Sequence, residues 1–269
     1  MSAVEQLHWI TYVVALVALL GGVVGAWSPR FAPYARRLTQ AGLAVLTVSI
    51  ALRWVITGHP PIFGTFENSI ASAWFVAAFV VLADLPRFRD ALPRRLGRAL
   101  GLWVLPLLAV GLFFERSPYP LTISERSLLV DVHVLFAWGA HTVLLAAGTA
   151  AIVVMAGRED GEGPLWEQVL FRGAGVGFAL FSVMMVLGSA YSFLLFSDWF
   201  RWEIVEAFAA ATWLAYGLAL HAAMMFGWRG RRLASALLVA SVLMLCTFWV
   251  WSFWSGTYHH FEIPAIRAE

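Results

Sequence analysis

Eight apolar stretches, at about 7 to 27, 39 to 56, 67 to 85, 98 to 114, 128 to 156, 168 to 196, 204 to 226 and 233 to 254, decide what this chain can become. Each is close to the ~20 residues that a helix needs to cross the hydrocarbon core of a bilayer. Hydrophobic residues make up 61% of the chain and mean hydropathy is +0.78, against roughly half apolar residues in a soluble domain. The prediction is an all-α, polytopic integral membrane bundle of about eight transmembrane helices. The first stretch should persist as a helix rather than act as a cleaved leader, because Met1 to Gln6 carries Glu5 and no Arg or Lys. The fifth and sixth stretches exceed the minimum, so they should tilt or project beyond the bilayer.

Charge sets the expected orientation. All 18 basic residues are Arg, and the formal net charge is only +2, too small and too scattered for a nucleic-acid footprint. Alternate connections hold thirteen of them: Arg30, Arg36, Arg37, Arg87, Arg89, Arg94, Arg95, Arg98, Arg158, Arg172, Arg229, Arg231 and Arg232. The other connections and the tails hold five, namely Arg53, Arg116, Arg126, Arg201 and Arg267. By the positive-inside rule the Arg-rich side is cytoplasmic, and both termini lie on the non-cytoplasmic side.

Internal boundaries are weak. Gly157 to Gly163 is acidic and Gly-rich, but loops of that length are ordinary in helical bundles, so residues 1–269 are expected to form one transmembrane domain. Gly173, Gly175 and Gly177 read as close helix contacts. A single cysteine, Cys246, leaves no internal disulfide and no Cys-x-x-Cys chemistry.

Histidine placement carries the candidate chemistry, since ionisable groups in or near a bilayer are functional candidates by default. His8, His59, His133, His259 and His260 fall on the external side of this topology, and His221 falls near the cytoplasmic end of the seventh stretch. His141 lies eight residues beyond His133, ~12 Å deeper and roughly 80° round the helix, where an interhelical hydrogen bond is the simplest role. His8 and His59 read as interfacial residues. A haem iron takes two axial nitrogens from opposite faces, so His133 and His221, near opposite surfaces, cannot share one iron, whereas His133 with His259 or His260 can.

Ser197 to Trp213 crowds aromatic and ionised side chains into the break between the sixth and seventh stretches. Trp9, Trp27, Trp54 and Trp228 fit the aromatic belts found at membrane surfaces. Trp199 and Trp202 fit them less well, because they share a short segment with Asp198, Arg201, Glu203 and Glu206. A porphyrin needs apolar planes along its edge and cations for its propionates, which Arg201, Arg116 and Arg126 can supply.

Trp202 to Trp213 resembles, without a gap, the tryptophan-rich WWD segment of the CcsA or ResC family of haem-handling membrane proteins in cytochrome c assembly, whose pattern is Trp-Asp-Pro-Lys-Glu-Thr-Trp-Ala-Leu-Ile-Thr-Trp. Leu220-His221 followed by Gly227-Trp228-Arg229-Gly230-Arg231 is similar to the family's Leu-His and Gly-Trp-Arg-Gly-Arg, and Tyr258-His259-His260 to its terminal Gly-Leu-His-Ser-Tyr. Upstream, Asp131-Val132-His133-Val134 resembles Met-His-Val, and Gly58 to Ser69 resembles the box Gly-His-x-Pro-x-x-Asn-x-Tyr-Glu-Ser. The matches occur in order along nearly the whole chain. The resemblance implies a multi-pass protein of the bacterial cytoplasmic membrane that moves or presents haem b at the outer face for attachment to apocytochrome c. It implies His133 and His259, or its neighbour His260, as haem ligands beside Trp199, Arg201, Trp202, Glu203 and Glu206. It also implies His221 as a ligand within the membrane, completed by a ResB-like membrane partner. Lipid is the surrounding medium.

This chain departs from the pattern where Asp-Pro-Lys becomes Glu203-Ile204-Val205 and the following Trp becomes Phe208. Losing the Pro removes the residue that fixes the segment at the head of the next helix. The departures suit a divergent branch, and the alternatives are a HemX-like assembly or regulatory factor, or a b-type cytochrome subunit. A synthase (haem lyase) subunit is one form of the first reading.

Overall fold

The computed structural model describes residues 2–114, 116–118, 121 and 126–253. Among them seven helices are long and apolar enough to cross a membrane: α1 (Ala3–Gly25), α2 (Ala32–Thr57), α3 (Thr65–Ala83), α7 (Leu128–Met155), the continuous helix Gly163–Phe196, α10 (Ile204–Met225) and α11 (Gly230–Trp249). The fourth expected span is shorter and broken, into α5 (Leu96–Gly101) and α6 (Val104–Gly111). Pro106 explains the break. It has no N–H for the Leu102 carbonyl four residues back, and its ring clashes with that carbonyl. The single turn α4 (Pro86–Arg89) precedes this pair.

The sixth span is the longest. It consists of α8 (Gly163–Gln168), a π-helical turn over Val169–Gly173, and α9 (Ala174–Phe196). At 1.5 Å per residue its 34 residues reach about 51 Å, well beyond a ~30 Å hydrocarbon core.

The chain groups into two compact units. Among the described residues the first holds 2–85, 97–114, 116–118 and 121, and the second holds 86–96 and 126–253. In the first unit α1 packs along α2, α2 against α3, and α3 against α6. Ser2 starts α1 with a capping box, accepting from the Glu5 N–H while the Glu5 carboxylate accepts from the Ser2 N–H. Gly58, at φ 73°, stops α2 in the left-handed conformation that glycine adopts without strain. Inside this unit Arg53 of α2 and Glu67 of α3 form a buried ion pair.

In the second unit α7 packs on α9 and α11, and α10 pairs with α11. Small residues set how close the α7–α9 pair comes. A Cβ on Gly177 would lie 2.4 Å from Leu144, so that position admits only hydrogen, whereas Gly175 faces open space. Of the three glycines in this run, Gly177 makes the tight contact. The acidic 157–163 loop is tied down by ion pairs of Glu162 with Arg94 and Asp160 with Arg95.

Candidate functional site

The break between α9 and α10 is built from backbone caps outward. Ser197 ends α9 in the left-handed conformation, φ 61°, and its N–H donates to the Phe193 carbonyl at 2.8 Å. Trp202 is also left-handed, at φ 58°, which is strained for a bulky β-carbon-bearing residue. Glu203 then caps α10 in a reciprocal box with Glu206, and the Glu206 carboxylate also accepts from the Arg201 N–H at 2.7 Å. The two carboxylates therefore have a local task. They hold the segment to the head of α10, the place where Pro would otherwise start a helix.

Aromatic rings cover the outside of this turn. Phe193 and Trp199 stack at 4.6 Å with planes 15° apart, Phe200 meets Trp202 edge-on at 4.8 Å, and the Arg201 guanidinium lies 4.0 Å over Phe196. Trp199 is 60% exposed and Trp202 80%. Large rings in such a position present apolar planes to whatever lies beside them.

His133 enters the same end of the second unit. Its Nδ1 lies 2.8 Å from the Met184 carbonyl of α9, an acceptor, so Nδ1 carries the proton and Nε2 is the basic nitrogen. The ring sits against Gly188, where an added Cβ would come within 2.8 Å of its Cε1. Gly188 is one to two turns, about 8 to 12 Å, before Phe193 and Phe196 on the same helix. A histidine whose second nitrogen is pinned by a backbone carbonyl is the arrangement proteins use for metal-binding imidazoles.

His221 lies elsewhere. It is seventeen residues into α10 from Ile204, about 26 Å along the helix from the aromatic turn, so it shares no iron with that end. Its side chain is exposed, on the same stripe as the exposed Leu214, Leu218 and Met225. His259 and His260 lie outside the described residues. Among the described residues no three His, Cys, Asp or Glu side chains converge as a metal cage.

Three histidines differ from the sequence expectation. His141 is 0% exposed and packs on Phe248 at 4.7 Å, with neither ring nitrogen bonded among the described residues, so the expected interhelical hydrogen bond is not made. His8 and His59 were expected at the interface and are instead buried. His8 Nδ1 lies 3.0 Å from the Ser49 carbonyl, and His59 Nδ1 lies 2.9 Å from that of Pro60. Apolar neighbours such as Phe66 and Phe63 take their rings out of the surface. Arg53, which the charge count assigns to a connection, sits inside α2 and faces Glu67. Glu67 itself was the available signal: a carboxylate within an apolar span demands a cation.

No protein-family model matches the chain. It is similar to cytochrome c biogenesis protein CcsA of Synechococcus sp. (strain CC9605), 22% identical with 90% of each chain covered. The same protein of Synechococcus sp. (strain RCC307) is 24% identical, covering 76% of this chain and 78% of its own. That of Chlamydomonas reinhardtii is 20% identical, covering 70% and 57%. Among solved structures the cytochrome c haem lyase CcmF superposes with a TM-score of 0.71 at 16% identity, over 92% of this chain and 47% of CcmF. The all-helical membrane fold is shared.

Proposed function

We propose that this divergent relative of the CcsA-type proteins is a multi-pass membrane protein of cytochrome c biogenesis that binds haem and presents it at the outer face of the bacterial cytoplasmic membrane. The observation that carries the proposal is His133, whose Nδ1 is held by the Met184 carbonyl of the helix that leads into the aromatic turn. His133 holds the haem on one side, and Trp199 and Trp202 supply planes along it. Arg201, already stacked on Phe196, supplies a cation for a propionate. His259 or His260 would serve as the haem's second histidine ligand. These residues would hold haem b without a covalent bond, and haem so bound would supply the vinyl groups to which the thiols of apocytochrome c add.

The chain's own contribution is positional. The Glu203–Glu206 box keeps the aromatic turn at the head of α10, and Gly188 leaves room for the His133 ring. His221 projects from an otherwise apolar exposed stripe of α10, a costly place for an imidazole unless a neighbour covers it. A ResB-like membrane partner would be that neighbour, with His221 available to help hold haem there. The reading is tested by cytochrome c maturation in cells producing the chain with such a partner. His133→Ala at unchanged membrane level should stop covalent attachment, and normal attachment would refute the role.

A further inference from the structure

The Arg-rich end of the second unit carries more positive charge than its own carboxylates offset. Segments 86–96, 157–172 and 229–232 meet there, through the ion pairs of Arg94 with Glu162 and Arg95 with Asp160, the Gly230 N–H on Glu167 at 2.8 Å, and Arg231 Nη1 on the Met155 carbonyl at 2.8 Å. Together these segments hold nine arginines and five carboxylates. Arg229 lies 3.9 Å from Glu167 and 5.4 Å over the Phe171 ring, so it too is held. Arg172 and Arg232 differ from these. Both are exposed, and neither side chain makes a hydrogen bond, ion pair or ring contact among the described residues.

Each of these two arginines heads an exposed apolar stripe. On the continuous helix Val176, Val183 and Val186 follow Arg172 at four, eleven and fourteen residues, which a 3.6-residue period brings onto one face. On α11 Val239 and Val242 follow Arg232 at seven and ten residues, again on one face. Depth fits as well. α9 rises about 35 Å over its 23 residues and α11 about 30 Å over its 20, against a ~30 Å hydrocarbon core, so each arginine stands at headgroup level and each stripe lies in the acyl region beneath it. A guanidinium presents paired N–H donors that match two phosphate oxygens. A free phosphate would use that fork and leave the stripe idle, whereas a phospholipid uses both.

We propose that Arg172 and Arg232 each retain an anionic phospholipid, its phosphate on the guanidinium and an acyl chain along the valine stripe below. Charge complementarity selects an anionic lipid over a zwitterionic one, whose own cation would meet the surplus arginines. These residues take no part in the haem reading, and the proposal does not rest on it. The purified full chain in a neutral detergent is titrated with dioleoylphosphatidylglycerol and, separately, with dioleoylphosphatidylcholine, read by native mass spectrometry. The native chain should prefer phosphatidylglycerol. Arg172→Gln and Arg232→Gln should each weaken its binding about fivefold, and the double variant about twenty-fivefold, with phosphatidylcholine unchanged. Arg94→Gln removes the same unit of charge from the same end, but from a guanidinium already paired with Glu162, and should leave lipid binding as it is. Glycerol 3-phosphate, the headgroup chemistry without the chains, should not displace the lipid at equal concentration. The proposal is overturned if the native chain binds both lipids alike, or if Arg172→Gln and Arg232→Gln bind as the native chain does. It is equally overturned if Arg94→Gln weakens phosphatidylglycerol as much as Arg172→Gln does, which would mean attraction by net charge alone, or if glycerol 3-phosphate displaces the lipid, which would mean that the stripes contribute nothing.

Discussion

The two units spend their polar residues in opposite ways. The first buries them in pairs between helices, Arg53 with Glu67 and His8 with Ser49, so that a charge within an apolar span has a partner. The second puts Trp199, Arg201 and Trp202 on an exposed turn and anchors that turn from behind with Glu203 and Glu206. Polarity in the first unit is buried between helices; in the second, polar and aromatic side chains are displayed on an exposed turn. A substitution that isolates a buried charge should therefore disturb stability, and one on the turn should disturb haem binding far more than stability.

The largest effect expected is for Arg53→Leu, which leaves Glu67 as an unpaired buried carboxylate. Such losses cost about 3 to 5 kcal/mol, seen as a lower unfolding midpoint of the purified protein, and adding Glu67→Leu should restore most of it. If the single variant were as stable as the native chain, the pair would contribute nothing to the stability of the first unit. Gly188→Ala comes next. Its methyl meets the His133 ring at 2.8 Å, so the ring must leave Met184, at about 1 to 3 kcal/mol and with weaker haem binding. Unchanged haem affinity would show that the Met184 bond does not position the ligand.

Glu206→Ala removes the acceptor for the N–H groups of Arg201 and Glu203 and should cost about 1 kcal/mol, with the turn losing its anchor. The smallest effect separates strain from binding at Trp202. Trp202→Gly suits the left-handed backbone and should be more stable than Trp202→Ala by about 1 kcal/mol, while both variants lose haem affinity alike. Equal stabilities would mean that the turn relaxes once the indole is gone.

Most of the helical plan could be read from apolar run lengths, because a bilayer requires about 20 apolar residues wherever a helix crosses. The fourth run forms a shorter, broken apolar helix, since length alone ignores what Pro106 does to the Leu102 carbonyl. Charge counting took Arg53 as a loop residue; a cation that close to a span end is claimed by the nearest carboxylate, and Glu67 of the next helix supplies it. At the candidate site, the crowding of Trp199 to Glu206 was visible as composition. The caps and the left-handed Trp202 were not, for they depend on where α9 stops. Nor was the tautomer of His133, which is set by a carbonyl 51 residues away. His8 and His141 show the same limit, their burial being decided by helices remote in sequence.

Haem content of the purified chain, read as the Soret absorbance per protein for the native sequence and for His133→Ala, tests the central reading most directly. The native protein should carry haem, and the variant should lose it while keeping its unfolding midpoint. A native chain without a Soret band, or a His133→Ala variant with an unaltered haem spectrum, would contradict haem binding at His133.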